Sequence, residues 1–380
     1  MTQGVGTQII FILISWFTPV AFLMSPQIAY DYGVLGILGL TIMQVASFYL
    51  FYLWRARLAT RQPEERLHRL VHYLYVTEAS CCLLLAGKIV ISQSLWMDSF
   101  FYFMVLLVVV FMLLGFAKNW FVKWIAVGVV VVGMIASFLI PTLVYLKISI
   151  PTVYSGLHFL ATDMLKLDDQ QTWLLILVLG ISILVHHYLF YMYGGVSQIR
   201  SPKSFISYLL ASVLFAFVPI SLGSLSFVAK AQAIWPELTD HVSLQVIEQF
   251  GGQFGKTLFL LALVVTVIYQ IFRLKSSYRD FLQSSPKSLV LLPLPLAIVF
   301  TSHVTLLDVV TSFCLLWGPL LPVLLRAKGS RRRMFFAFGA GAAAAVGIAL
   351  YGDVLTGVLF GTCLSGVLII PWLKWLYPKT

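Results

Sequence analysis

Long apolar runs separated by short polar segments dominate this chain from end to end. Their length, about 20 residues, is that of a helix crossing a bilayer. They fall at roughly 7–24, 33–54, 70–92, 96–116, 121–146, 172–194, 205–229, 256–275, 288–304, 306–326, 333–351 and 354–376. A membrane barrel would need alternation of period two, which is absent. A lipid-facing backbone must satisfy its hydrogen bonds within its own segment, so helices are expected. The pattern therefore predicts an all-α polytopic membrane protein with about twelve transmembrane helices, a single transmembrane domain over 1–380. No Ala-x-Ala pattern follows the first run, which is expected to stay in the protein rather than to be cleaved.

Two intervening stretches are long enough for structure of their own. Residues 147–171 carry Tyr154, Leu157, His158, Leu160 and Leu165 and are expected to form a short amphipathic helix along the interface. Residues 230–255, with Trp235, Pro236, Glu237, Asp240, Glu248 and Gly251-Gly252, are expected to be a solvated connection, with an outer lid as the other reading.

Composition narrows the class. Of 380 residues 60% are apolar and only 10% charged, against about 25% charged in a soluble domain. Such a chain could not cover its own surface in water, which excludes a cytosolic enzyme, a disordered protein and a secreted module. The net charge of +11 would point to nucleic acid in a soluble protein, but here the basic residues lie in short loops and set orientation. Only Lys88, Lys147, Lys166, Lys230 and Lys256 of the 25 basic residues fall on the side away from the termini. That bias predicts cytoplasmic N- and C-termini in a plasma membrane, the bacterial inner membrane being the expected setting. The lipid bilayer is the expected partner, nucleic acid is not. Cys81, Cys82, Cys314 and Cys363 lie in apolar runs without metal-ligand spacing and read as small buried hydrophobes.

Candidate chemistry is confined to a few positions inside the runs. Thr18-Pro19 stands near the middle of the first, where proline removes a donor and frees the carbonyl of Ser15. Either a site-forming break or a packed kink would result. Ionisable groups within spans are costly and are functional candidates. Glu78 is one, with a watery position near the cytoplasmic interface as its plainer reading. His186-His187 are others; adjacent residues point about 100° apart on a helix, so one is expected to face the bundle and the other the interface. Ser15, Trp16, Glu78, His186 and His187 are thus the candidate substrate-binding residues. Asp308 is expected to begin a helix. Prolines 141, 219, 293, 295, 319 and 322 are too numerous to be diagnostic singly. Small residues at 337–347 with Gly357 and Gly361 read as close-packing surfaces. No metal motif, phosphate loop, nucleophile elbow or paired-acid constellation is present; no catalytic residue is assigned and no enzyme is expected.

Read in order, several short motifs carry a resemblance. They are Phe22-Leu23-Met24-Ser25-Pro26-Gln27-Ile28-Ala29-Tyr30-Asp31-Tyr32-Gly33, Gly87-Lys88-Ile89-Val90, and Leu113-Leu114-Gly115-Phe116-Ala117-Lys118. To these are added Gly195-Val196-Ser197-Gln198-Ile199-Arg200 and Ser276-Ser277-Tyr278-Arg279-Asp280-Phe281. The chain resembles the solute:sodium symporter family, carriers of the leucine-transporter fold, over about residues 7–370. The resemblance implies two inverted five-helix repeats, 7–146 and 172–326, with accessory helices at 333–376. It also implies a site-forming break at Thr18-Pro19. By the same resemblance the coupling-ion site falls on Phe17, Thr18, Leu263 and Thr266. There the family has two adjacent hydroxyls and this chain has Thr266 and Val267. A hard cation wants about six oxygens, so loss of one weakens a sodium site.

Two functions follow as expectations. One is a secondary active transporter of a small polar or organic-anion solute by alternating access, its coupling weakened or altered, with sodium or protons as the coupling ion. The alternative is a transport-incompetent sensor or scaffold derived from a transporter, binding a partner protein.

Overall fold

The computed structural model describes residues 4–58, 65–94, 119–193, 204–284, 304–326 and 331–369. Within them the chain is helical, with no strand. Helices α1 (Val5–Trp16), α2 (Pro19–Leu58) and α3 (Glu65–Ser94) are followed by α4 (Asn119–Lys147), the short α5 (Ile150–Leu160), α6 (Gln170–Tyr193) and α7 (Ser204–Ala231). Then come a one-turn α8 (Val242–Val246), α9 (Gly252–Ser284), α10 (Leu306–Arg326), α11 (Arg331–Tyr351) and α12 (Val354–Ile369). Eight helical segments among the described residues are long and apolar enough to cross a membrane. The expected span 96–116 and residues 288–303 of the expected span 288–304 lie outside the described residues. The protein is a multi-pass, all-helical membrane protein.

Helix α7 illustrates why an apolar helix needs no polar face here. Ala211, Phe215, Val218, Leu222 and Leu225 are buried against other helices, while Leu209, Val213, Phe217 and Ile220 form an equally apolar exposed stripe. Two greasy faces suit a helix with protein on one side and lipid on the other. Helix α2 packs most extensively on it, and Ser226 Oγ donates to the Pro26 carbonyl across that contact at 2.5 Å.

The first part of the chain is interrupted twice. The helix stops at Trp16 and resumes at Pro19, Phe17 N–H closing the last turn on Leu13 O at 2.9 Å. Proline disfavours helical backbone in the residue before it, and its own fixed φ suits the first position of a new helix. The second interruption is Gly33 (φ 63°, ψ −153°), which separates segments 19–32 and 34–58 of α2. As one straight rod α2 would be about 60 Å long, twice the hydrocarbon thickness.

Helix α5 forms where a short amphipathic helix was expected, burying Val153 and Leu157 and exposing Tyr154, Phe159 and Leu160. Asp169 caps α6: the Thr172 hydroxyl and amide both donate to Oδ2, at 2.5 and 2.9 Å. These bonds, the hydroxyl's foremost, hold the Asp169 carboxyl below the ordinary carboxylate range. The stretch 230–255 is not the solvated connection expected. It folds into helical turns that bury Asp240, Val242, Leu244, Val246 and Ile247. Tyr30 O–H donates to Ile234 O at 3.1 Å, and Lys230 Nζ lies 3.8 Å over the Tyr30 ring, fastening this segment to α2. Asp308 sits in the first turn of α10 and accepts from Thr305 N–H, while Thr305 Oγ1 accepts from Asp308 N–H. That reciprocal capping box starts the helix.

Helices α11 and α12 approach closely through small residues. A side chain on Gly341 would meet Gly361 O at 2.7 Å, and one on Gly357 would meet Ala345 O at 2.6 Å. Cys81, Cys82 and Cys314 are buried as expected, whereas Cys363 is exposed on the outer face of α12.

Candidate functional site

The break between α1 and α2 opens onto a cavity of about 120 Å³. Trp16, Thr18 and Pro19 come from the break itself, Gln44 from the second half of α2, and Tyr75, Glu78 and Cys82 from α3. Ser182, His186 and Phe190 of α6, Phe215 of α7, Gln270 of α9 and Val310 of α10 complete most of the wall. Helices α3 and α6 contribute residues three or four apart, the spacing of one helical face.

Glu78 and His186 meet in this wall although 108 residues separate them. His186 Nε2 lies 3.1 Å from Glu78 Oε2. Trp317, fully buried on α10, donates Nε1–H to the same oxygen at 2.7 Å. On the other edge of the imidazole, Nδ1 lies 2.8 Å from the Ser182 carbonyl and must be a donor there. One proton therefore lies between Nε2 and Oε2, giving either imidazolium and carboxylate or imidazole and carboxylic acid. The pair can take up or release that proton beside the cavity while Trp317 and the Ser182 carbonyl hold its geometry. Glu78 is 3% exposed, so it is not a watery interfacial acid.

Gln44 is 5% exposed and lines the wall, and its Nε2 donor is buried with no hydrogen-bond partner. A buried donor left unmatched costs about 1–3 kcal/mol. The remaining wall is largely aromatic and aliphatic. In volume the cavity is close to an apolar one of about 150 Å³ that holds a benzene molecule. A solute of about six non-hydrogen atoms is therefore on the right scale.

The carbonyl that Pro19 deprives of its helical donor is taken up from another helix. Arg273 of α9 donates to Ser15 O at 3.2 Å, and its guanidinium lies 4.2 Å over the Phe190 ring. The end of α1 is a natural place for a cation, since the last carbonyls of a helix carry partial negative charge. Phe190 and Tyr75 stand between Arg273 and the cavity: both line it, and both rings lie beside the guanidinium.

Of the positions singled out in the sequence, Trp16, Thr18, Glu78 and His186 line the cavity. Ser15 lies behind the wall; its hydroxyl donates to Phe11 O at 3.2 Å. Phe17 is 1% exposed and points away, its ring filling the space beside Gly133. Leu263 and Thr266 are fully buried on α9, and the Thr266 hydroxyl donates to the Leu263 carbonyl of its own helix at 2.8 Å. His187 does not face an interface. It sits among Trp16, Phe48 and Phe51, with ring centroids 4.4, 4.4 and 5.4 Å away, and bonds the Ser47 hydroxyl at 3.1 Å.

Sequence reasoning missed Gln44, Trp317 and Arg273. Arg273 reads as a loop cation beside Lys275 and Arg279, but α9 runs on to Ser284 and carries it inside the bundle. Gln44 and Trp317 each stand alone in an apolar run, and no local signal marks them. Among the described residues no cluster of three or more His, Cys, Asp or Glu could hold a metal ion. No protein-family model matches the chain, and no curated protein sequence matches it.

Proposed function

We propose that the protein is a secondary active transporter that carries a small polar solute across the membrane by alternating access, with protons as the coupling ion. The observation that carries this reading is the cavity at the α1–α2 break, which joins a proton-sharing pair, Glu78–His186, to the unmatched amide of Gln44. A transporter needs a site of this kind where helices are discontinuous. The twelve-helix arrangement with inverted repeats over 7–146 and 172–326, the bacterial inner membrane and the cytoplasmic termini belong to the same proposal. They are supported by the loop charges and by the break where the resemblance places one. Protons are preferred to sodium because the Glu78–His186 pair shares one beside the cavity and because the guanidinium of Arg273 already occupies the Ser15 carbonyl.

Cys82 provides the test, because it is the cysteine among the described residues that lines the cavity. In a protein retaining Cys82 alone (Cys81→Ala, Cys314→Ala, Cys363→Ser), a membrane-impermeant methanethiosulfonate reagent is applied to right-side-out and to inverted membrane vesicles. Alternating access predicts labelling from both sides. A thiol that reacts from neither side in the folded protein, yet reacts after denaturation, would overturn the reading in favour of a scaffold that no longer moves solute.

A further inference from the structure

We propose that the cavity takes a small primary or secondary ammonium ion, of about six non-hydrogen atoms at most, which donates to Glu78 Oε1 and enters in exchange for the proton held between Glu78 and His186. This inference rests on the transporter reading and names its cargo and the sense of its coupling to protons.

The first ground is what the cavity offers an occupant. Both hydrogen bonds to the Glu78 carboxyl end on Oε2, one from Trp317 and one shared with His186. Oε1 accepts none, yet it is not among the unmatched polar atoms that are sealed from contact. It keeps open surface, and Glu78 lines the cavity. The Gln44 donor, by contrast, is one of the sealed atoms. The Ser25 hydroxyl of the same wall spends its hydrogen on Ala21 O at 2.8 Å, so lone pairs are what it has left. A carboxylate oxygen calls for a donor, and an N–H on a cation makes the stronger bond to it. The rings of Trp16, Tyr75, Phe190 and Phe215 make up much of the remaining wall. Aromatic faces attract an ammonium, most of all where water is excluded. A bare metal ion would instead want about six oxygens, which this wall does not supply.

The second ground is the exchange of like for like. With its shared proton the pair is neutral overall, as imidazolium and carboxylate. Without it the pair carries one negative charge, which a bound ammonium ion cancels. Trading one for the other leaves the charge of the site unchanged, whatever else Arg273 and its neighbours engage. Holding both adds a positive charge, and uncompensated charge in a low-dielectric interior is expensive. Each therefore expels the other, and the linkage is reciprocal. The proton that leaves is the one on Nδ1 of the imidazolium. The neutral ring keeps Nε2–H on Glu78 Oε2, and the Ser182 hydroxyl, 3.3 Å from Nδ1, can donate to the nitrogen left bare. The other titratable or charged groups around the pair are Tyr75, Cys81 and Cys82 on α3, His187 on α6, Arg273 on α9 and Cys314 on α10. Buried thiols and a buried phenol stay neutral, Arg273 stays cationic, and His187 is closed in by aromatic rings. The pair itself thus carries the pH dependence.

The test uses the full chain in detergent, melted under tryptophan fluorescence with propylammonium chloride, 1-propanol, potassium propionate or choline chloride at pH 5.5 and pH 8.5. Those values bracket the range in which an imidazole titrates, around 6.5, and an alkylammonium stays charged at both, as a lysine does. A ligand that binds only the folded state raises the melting temperature with its occupancy. Propylammonium is expected to do so saturably, with an apparent affinity about tenfold tighter at pH 8.5 than at pH 5.5. Propanol lacks the charge, propionate has the wrong sign and choline has no N–H, so none of the three is expected to. In weakly buffered solution near pH 6, propylammonium should also release about one proton for each ion bound. Glu78→Gln is expected to abolish both the shift and the release. That substitution touches a buried network, so its unliganded melting is recorded, and proton release by the parent decides independently of it.

Several results overturn the proposal. They are no shift with propylammonium at any concentration, equal stabilisation by propanol, propionate or choline, an affinity unchanged or tighter at pH 5.5, binding without proton release, or a shift that survives Glu78→Gln. If these occur while Cys82 stays reachable from both sides, the ammonium ion is wrong and the transporter stands. If Cys82 is also unreachable, both fall.

Discussion

The two interruptions near the start of the chain, at Phe17–Thr18 and at Gly33, have opposite fates. At the first, the helix gives up a carbonyl that another helix answers with a guanidinium, and a cavity remains beside it. At the second, the backbone of Met164 fills the angle so closely that a side chain on Gly33 would collide with its carbonyl oxygen and Cα. One break hands polar groups to side chains across a void; the other is closed by backbone against backbone. A broken helix is thus not in itself a site. It becomes one where what the backbone leaves over is answered by side chains from other helices and the packing stays incomplete.

The strongest way to break this contrast is to make the outer corner hold a side chain. Gly33→Ala combines a backbone region that only glycine adopts readily with a collision against Met164. These cost about 1–3 kcal/mol each, so a loss of about 2–6 kcal/mol is expected. A melting temperature within a degree or so of the parent would mean that the corner is looser than its packing implies. At the inner break the costly change is a different one. Trp317→Phe keeps an aromatic ring but removes the pyrrole half of the indole with its donor to Glu78 Oε2, so about 1–3 kcal/mol is expected from the lost bond and a further loss from the space left behind. It should also shift the pH at which the cavity's ligand binds, which an altered packing contact alone would not do. An unchanged pH dependence would sever Trp317 from the proton-sharing pair.

The two interruptions were unequally readable. Thr18-Pro19 announces itself, because proline removes a donor wherever it stands in a helix. Glu78 and His186 announce themselves as ionisable groups in apolar runs. What the residues do not state is that these two meet, since the contact spans 108 positions and depends on how α3 and α6 pack. Gln44 looks like a tolerated amide until its donor is found without a partner. His187 shows the reverse: beside His186 it looked equally chemical, but a helix turns by about 100° per residue, and that turn places it in an aromatic cage. The segment 230–255 reads as solvated because Pro236, Glu237, Glu248 and two glycines punctuate it. Val242, Leu244, Val246 and Ile247 outweigh those polar residues once α2 and α7 offer a surface to bury them on.

The gentlest test bears on what answers the inner break. A sodium ion shared between the end of α1 and α9 would need the Ser15 carbonyl and the lone pairs of the Thr266 hydroxyl. The hydroxyl donates to Leu263 O, one turn earlier on the same helix, and it is the Ser15 carbonyl that is taken, by Arg273. Thr266→Val keeps the shape of the side chain and removes only that local bond, so no more than about 1 kcal/mol should be lost. Melting in sodium and in choline at equal ionic strength should coincide for the parent and for Thr266→Val alike. A sodium-specific rise in the parent that vanishes in the variant would show that the hydroxyl oxygen holds the ion. The inner break would then be answered by an exchangeable cation rather than by the guanidinium fixed in the fold, and the assignment of protons as the coupling ion would have to be abandoned.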